Sequence, residues 1–459
     1  MSDKKIIRVN PDASGLSDTE RIQKAIDACF FEGGGTVEVG SGDYHVGCIR
    51  LRSHITLHLL ENARLIGSRN TEDYFTVEKD RVEPLSAEEI SDIRWIPLDK
   101  RTPEDKYSWL NTIGTTWNHA VIRAVRAEDI AIIGETGSVI DGADCYDPQG
   151  EEDYRGPHGI NIHASKNITL RGYTIQNTGN WAHCLVNCEN VTAGGLTVKG
   201  GHDGFDIMAC RHAHLYDCVF HTGDDCVAGY GSSDIEVEHC VMNTACSAFR
   251  IGGRDIRIHD CRLYGPAEYL FRGSLSQEEK IAGNPRFNSV NGKDEAHRYN
   301  MLSAFTYFAA DGIEVKDVPG NIVISDCSFE NIDRFVHYNF SGNEPWQMLY
   351  PLSDIRFERI SASEIKLPFT LYGDEKLPLT AVFEDITLSL SEDYEHGALI
   401  QAANYEKLKF RNFRITNAPD VFMKVWGKSG IPETENLSPV YTEDRLIERA
   451  EEEFFCPWI

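Results

Sequence analysis

One feature limits this chain more than any other: a short strand-like run that returns every 20 to 23 residues. NITL (167–170), NVTA (190–193), AHLY (213–216), DIEV (234–237) and DIRI (255–258) are its clearest copies. Each is followed by a second short run: GYTIQN, GLTVKG, DCVFHT, HCVMNT and DCRLYG. DIAIIGETGSVIDG (129–142) is an earlier copy, and NIVISDCSFEN (321–331), DIRFERISAS (354–363) and LKFRNFRITN (408–417) are later, weaker ones. Two or three short strands per repeat, with no room for a helix, predict an all-β parallel β-helix. A propeller needs a period of about 40 residues, and a leucine-rich repeat needs a leucine pattern that is absent here. Coils stack at about 4.8 Å, so residues one period apart become neighbours in space. Cys218, Cys240 and Cys261, with Cys327 in the same place in its own repeat, are expected to form an interior ladder.

The reading is of a single domain over 1–459. DTERIQKAIDACF (18–30) has Ile22, Ile26 and Cys29 at helical spacing behind a Ser17/Glu20 capping box. It is expected to cover the open N-terminal end of the core. Residues 69–120 and 273–318 break the period and are expected as loops flanking a groove. The tail, 433–459, carries a second helical pattern over 442–455. Acidic residues outnumber basic ones 72 to 45 for a net charge of −27, which opposes nucleic acid and anionic membranes as partners. The start, MSDKKIIRVN, has no apolar leader, and no segment approaches membrane-spanning length. Thirteen cysteines in such a chain read as reduced thiols in the cytoplasm. No metal-ligand spacing, P-loop or dinucleotide fingerprint is present, so no metal and no cofactor is expected. Gly33 to Gly35 are backbone turn residues.

With the period as a ruler, His183, Asp203, Asp224/Asp225, Ser247 and Tyr269 are expected in one column, and Arg250 with Arg272 in a second. Asp203, Asp224 and Asp225 then face one groove from adjacent coils. Glycosidic cleavage needs a protonated acid on the leaving oxygen and a base on water. Crowded carboxylates supply both, because neighbouring charge raises one pKa while another group stays ionised. The separation decides the outcome: roughly 6.5–9.5 Å admits the water of an inverting reaction, and about 5–5.5 Å suits a retaining one. Asp206 is read as hydrogen-bonding locally. Trp181 is read as structural, with a sugar platform as the other option, and His158 as lying in a loop near the groove.

The order GSVIDG (137–142), NWAH (180–183), DGFDI (203–207) and GDDC (223–226) resembles the polygalacturonase family, glycoside hydrolase family 28, over about residues 8–275. That resemblance implies a right-handed, single-stranded, pectin-lyase-like β-helix and an inverting, metal-free hydrolase of pectin-type oligosaccharides. It implies Asp224 as general acid, with Asp225 and Asp203 deprotonating water. His183, His202, Ser247, Arg250, Tyr269 and Arg272 are the expected substrate contacts. Gly201 and His202 stand where the family has Asn-Thr, Ser247 stands in the place of its histidine, and Leu270 and Arg272 fall near its Arg-Ile-Lys. These departures imply shifted specificity, and exo action on an oligosaccharide is expected. A lyase or epimerase on the same fold, using Tyr269 and Arg272, is one alternative. A non-catalytic sugar-binding β-helix is the other.

Overall fold

A computed structural model describes residues 5–11, 15–74, 119–276, 278–279, 300–309, 318–340 and 351–452. Its strands form one connected parallel set that winds as a right-handed β-helix with three sheets as walls. A single coil shows the plan. Glu189–Gly194 lies in sheet 1, Thr197–Gly200 in sheet 2 and Phe205–Met208 in sheet 3. Each strand pairs in register with its counterpart one coil on. In sheet 1 the row Val191, Ala213, Ile235, Ile256, Ile322, Ile355, Ala381 and Leu408 runs through eight coils. All eight side chains point into the core and are buried.

Two turn chemistries set the period. Between sheets 1 and 2 the backbone enters the left-handed region at Asp217, His239, Asp260 and Asp326, with φ from 53° to 55°. Short polar side chains tolerate that conformation better than most. The residue that follows is Cys218, Cys240, Cys261 or Cys327, and each thiol donates to the carbonyl two residues back. The cysteines therefore stack inside as expected, and each also satisfies a carbonyl at the bend. Twelve cysteines are described, and all are free and buried. At the start of sheet 1 a second left-handed position carries Asp129, Asn167 and Asn190. There the Asn167 amide donates to Asp129 at 2.8 Å and the Asn190 amide to Asn167 at 2.9 Å.

The N-terminal helix, α1 (Asp18–Phe31), begins at the predicted capping box and lays Ile22, Ala25, Ile26 and Cys29 over the first coil. Lys5–Val9 adds a strand beside Gly35–Val39. The C-terminal expectation is corrected. Among the described residues of this stretch only Glu443–Leu446 is helical, and Ile447–Arg449 then pairs with Met423–Val425. One turn of helix is too short to hold by itself, whereas the last coil presents an open strand edge that needs a partner. The expected loop insertions lie largely outside the described residues, at 75–118, 280–299 and 310–317. Among the described residues no helix is long and apolar enough to cross a membrane.

Candidate active site

The carboxylates sit where the chain turns from sheet 2 into sheet 3. Thr222 ends a sheet-2 strand, and its hydroxyl donates to the Asp224 carbonyl at 2.6 Å. The Thr244 hydroxyl, one coil on, donates to the same oxygen. Two buried threonines thus fix the Asp224 backbone. Gly223 is required beside it, because a Cβ there would lie 1.7 Å from the Leu270 carbonyl oxygen. The Asp225 N–H donates to Asp224 Oδ1 at 3.1 Å, and the Ser247 N–H donates to Asp225 Oδ1 at 2.8 Å.

Backbone bonds define which residues stack. Ala182 N–H donates to Asp203 O at 2.9 Å, Gly204 N–H to Asp225 O at 2.8 Å and Cys226 N–H to Ser247 O at 3.1 Å. Ser247 pairs in turn with Ser303. The column is therefore Trp181, Asp203, Asp225, Ser247 and Ser303, with Asp224 beside it. Asp206, on the strand that follows Asp203, is hydrogen-bonded to Asp203 and joins the cluster. Asp203 and Asp224 are each 7% exposed and Asp225 1%, so the first two meet solvent and the third lies behind them.

Several sequence expectations need correction. His183 pairs with Phe205 and is wholly buried in the core. Its Nδ1–H donates to Gly204 O at 2.9 Å and its Nε2 accepts from the Tyr173 hydroxyl at 3.0 Å. Burial lowers its pKa to about 4, so it is neutral and lines no groove. The error is two residues in register, which turns an expected groove position into a core position. Tyr269 is not in the column; it packs on Leu270 and Leu275 in the loop. Arg250 stacks with Thr306, not with Arg272. Arg272 reaches back to the N-terminal side, where its guanidinium is buried against Asp144. That contact pairs the Arg272 cation with Asp144. Ser247 is buried, and its hydroxyl bonds Thr306 at 3.1 Å, so it acts on Asp225 and not on a ligand. His202 is buried between Arg155 and a stacked Tyr154.

Electrostatics separates the carboxyls. Burial, and then the charges of Asp224, Asp206 and Asp225, hold Asp203 well above the usual carboxylate range. Burial does the same to Asp206, against the hydrogen bond from Asp203, so ionising both members of this pair is opposed. Burial and the Asp224 charge push Asp225 up to about 6, opposed by Arg250, whose Nη1 lies 3.7 Å from Asp225 Oδ2. A carboxyl raised by folding supports the fold below its ordinary 3.8, and that support is lost as pH rises through about 6. Asp225→Asn should therefore match the wild type near pH 4 and exceed its stability at pH 7 by on the order of 3 kcal/mol. Denaturant melts at both pH values check this, and equal stabilities at pH 7 would refute it.

Sequence reading missed Arg155 altogether. Its guanidinium touches Asn180 Oδ1 at 3.2 Å, His202 Nδ1 at 3.3 Å and Asp224 Oδ2 at 3.9 Å. The only hint in the sequence is an arginine in the non-repeating stretch before His158. Asp224, Asp225 and Cys246 bring two carboxylate oxygens and a thiol within 4.8 Å of one another, and this is the one group among the described residues that could hold a cation. Arg155 and Arg250 already stand beside those carboxylates and balance their charge.

Fold and site together define a parallel β-helix with a buried-to-surface carboxylate cluster at one sheet turn. Residues 109–248 match the family described as Glycosyl hydrolases family 28. A polygalacturonase of Cryptomeria japonica is 23% identical over 296 residues, which is 59% of this chain and 53% of that one. The exo-poly-alpha-D-galacturonosidase of Dickeya chrysanthemi is 25% identical over 243 residues, 47% of this chain and 40% of that one. The chain thus spans about half the length or less of the curated relatives it matches. The solved family 28 exopolygalacturonase of Yersinia enterocolitica shares the fold with a TM-score of 0.57 at 15% identity, over 95% of this chain and 79% of that one. The chain is thus similar, over residues 109–248, to the family 28 glycosyl hydrolases.

Proposed function

We propose that this chain is an inverting glycoside hydrolase that removes units from the end of galacturonate-containing, pectin-type oligosaccharides. The observation that carries the reading is the placement of Asp203, Asp224 and Asp225 at the same turn of adjacent coils, inside the family-matched stretch. Asp224 protonates the glycosidic oxygen as the bond to the anomeric carbon breaks. A water oxygen attacks that carbon from the opposite face, and its proton passes to Asp225 or Asp203. Crowded carboxyls can meet this need, since one must hold a proton while another accepts one. Exo action draws on the name of the Dickeya relative, and the galacturonate substrate on both relatives.

Proton NMR of the protein with trigalacturonate tests the reading. The expected result is early release of free galacturonate with its anomeric configuration inverted relative to the cleaved bond. Retained configuration would overturn the inverting mechanism, and release of mid-sized fragments from longer chains would overturn exo action.

A further inference from the structure

Arg155 has an unusual reach. It leaves the loop before the strand His158–His163, yet it contacts three successive coils at the same turn: Asn180, His202 and Asp224. Its Nε donates to Glu152 at 2.9 Å, and Tyr154 lies under the guanidinium, with its centroid 5.6 Å away. The side chain is 8% exposed. Bonds to Glu152, Asn180 and His202 thus hold the group. The contact to Asp224, at 3.9 Å, is the long one and lies beyond hydrogen-bond distance.

That arrangement poses a chemical conflict. A general acid must carry a proton, but a guanidinium beside a carboxyl favours its ionised form. The conflict disappears if something else takes the guanidinium when substrate arrives. A uronate carboxylate is such a group, because it meets a planar guanidinium in two parallel bonds. Neither other arginine near the cluster is as well placed. Arg272 is buried against Asp144, and Arg250 pairs with Asp225 while lying 4.3 Å over the Phe308 ring.

Building on the hydrolase reading, we infer that Arg155 binds the carboxylate of the acidic sugar and thereby releases Asp224 to take up the proton it donates. The enzyme is then armed by the charge of its own substrate. Drawing the guanidinium toward the sugar weakens its hold on Asp224, and the added negative charge raises the affinity of Asp224 for a proton. A neutral or esterified sugar offers Arg155 no competing partner and leaves the guanidinium beside Asp224. The charged and titratable groups around this switch are Glu152, Tyr154, His202, Asp203, Asp206, Asp225 and Arg250.

The test compares trigalacturonate with its methyl ester across pH 4–8, for the wild type, Arg155→Gln and Arg155→Lys. The wild type should favour the acid by about 100-fold in kcat/KM. Arg155→Gln should lose about that factor on the acid and cleave the ester with an altered pH profile, so the preference disappears. For the ester, the alkaline limb of kcat/KM should move to higher pH in Arg155→Gln, a change that loss of packing would not produce. Arg155→Lys should regain little, because a point charge cannot form the paired bonds. An acid preference that survives in Arg155→Gln overturns the inference. So does a wild type that cleaves acid and ester equally, whether or not the variants fold. Absence of cleavage of either sugar by the wild type refutes the hydrolase reading itself.

Discussion

Asp224→Asn should lower kcat on a galacturonate oligosaccharide by about 10³-fold and leave KM within about threefold. The substitution is mild in structure. Both threonine bonds at this turn go to the Asp224 carbonyl, which the variant keeps, and the amide oxygen can still accept from the Asp225 N–H. What is lost is the transferable proton, and with it the charge beside Arg155. A binding group would show the opposite pattern, with KM rising and kcat held. Steady-state kinetics, with the melting temperature as a check on folding, decide the matter. A loss in kcat of less than tenfold would remove Asp224 from the acid role.

Phe383→Ala should cost about 3–5 kcal/mol of stability. Phe357, Phe383 and Phe410 occupy equivalent places on three successive coils, with ring centroids 5.1 and 5.0 Å apart and planes within 9° and 7° of parallel. Phe335, Phe369 and Phe413 surround the stack. Phe383 is fully buried, and the coils on either side are held at strand spacing by their own hydrogen bonds, so the walls cannot close on the space left behind. Stability in a stacked-coil protein is local. The loss should fall on the C-terminal coils, while coils carrying Asp203 and Asp225 keep their protection from hydrogen exchange. Exchange measurements on both regions check this, and a change below 1 kcal/mol near Phe383 would refute it.

The fold could be read from the sequence because its signal is repeated. Cysteines 21 and 22 residues apart, each behind a polar turn residue, report the same bend three times over. The capping box before α1 is similarly local, since Ser17 and Glu20 satisfy each other. Registry was harder to read. A period that drifts between 20 and 23 hides a slip of two residues, and such a slip put His183 beside Asp203 when it lies beside Phe205. After Arg262–Tyr264, the next sheet-3 strand is Met301–Tyr307, so counting one period past Ser247 reached Tyr269 and not Ser303. Arg155 carries no repeat signal. Its partners lie 25 and 47 residues away, and they meet it only because stacked coils bring one turn within reach of a long side chain. The C-terminal helix is shorter than its local pattern suggests for the converse reason: an open strand edge at Met423–Val425 takes up Ile447–Arg449.

The parallel pairing of coil on coil also decides how the molecule bears load. Every ladder bond runs along the long axis, so tension applied at the two ends pulls each coil straight off its neighbour. Bonds then open a few at a time, as in a zipper, and do not resist together as they would in shear. At the N-terminal end the pull enters through Lys5–Val9 and its five paired residues on Gly35–Val39. Each coil that lets go replaces a rise of about 4.8 Å with about 75 Å of extended chain. A protein with a closely packed interior is thus, along its own axis, soft and highly extensible.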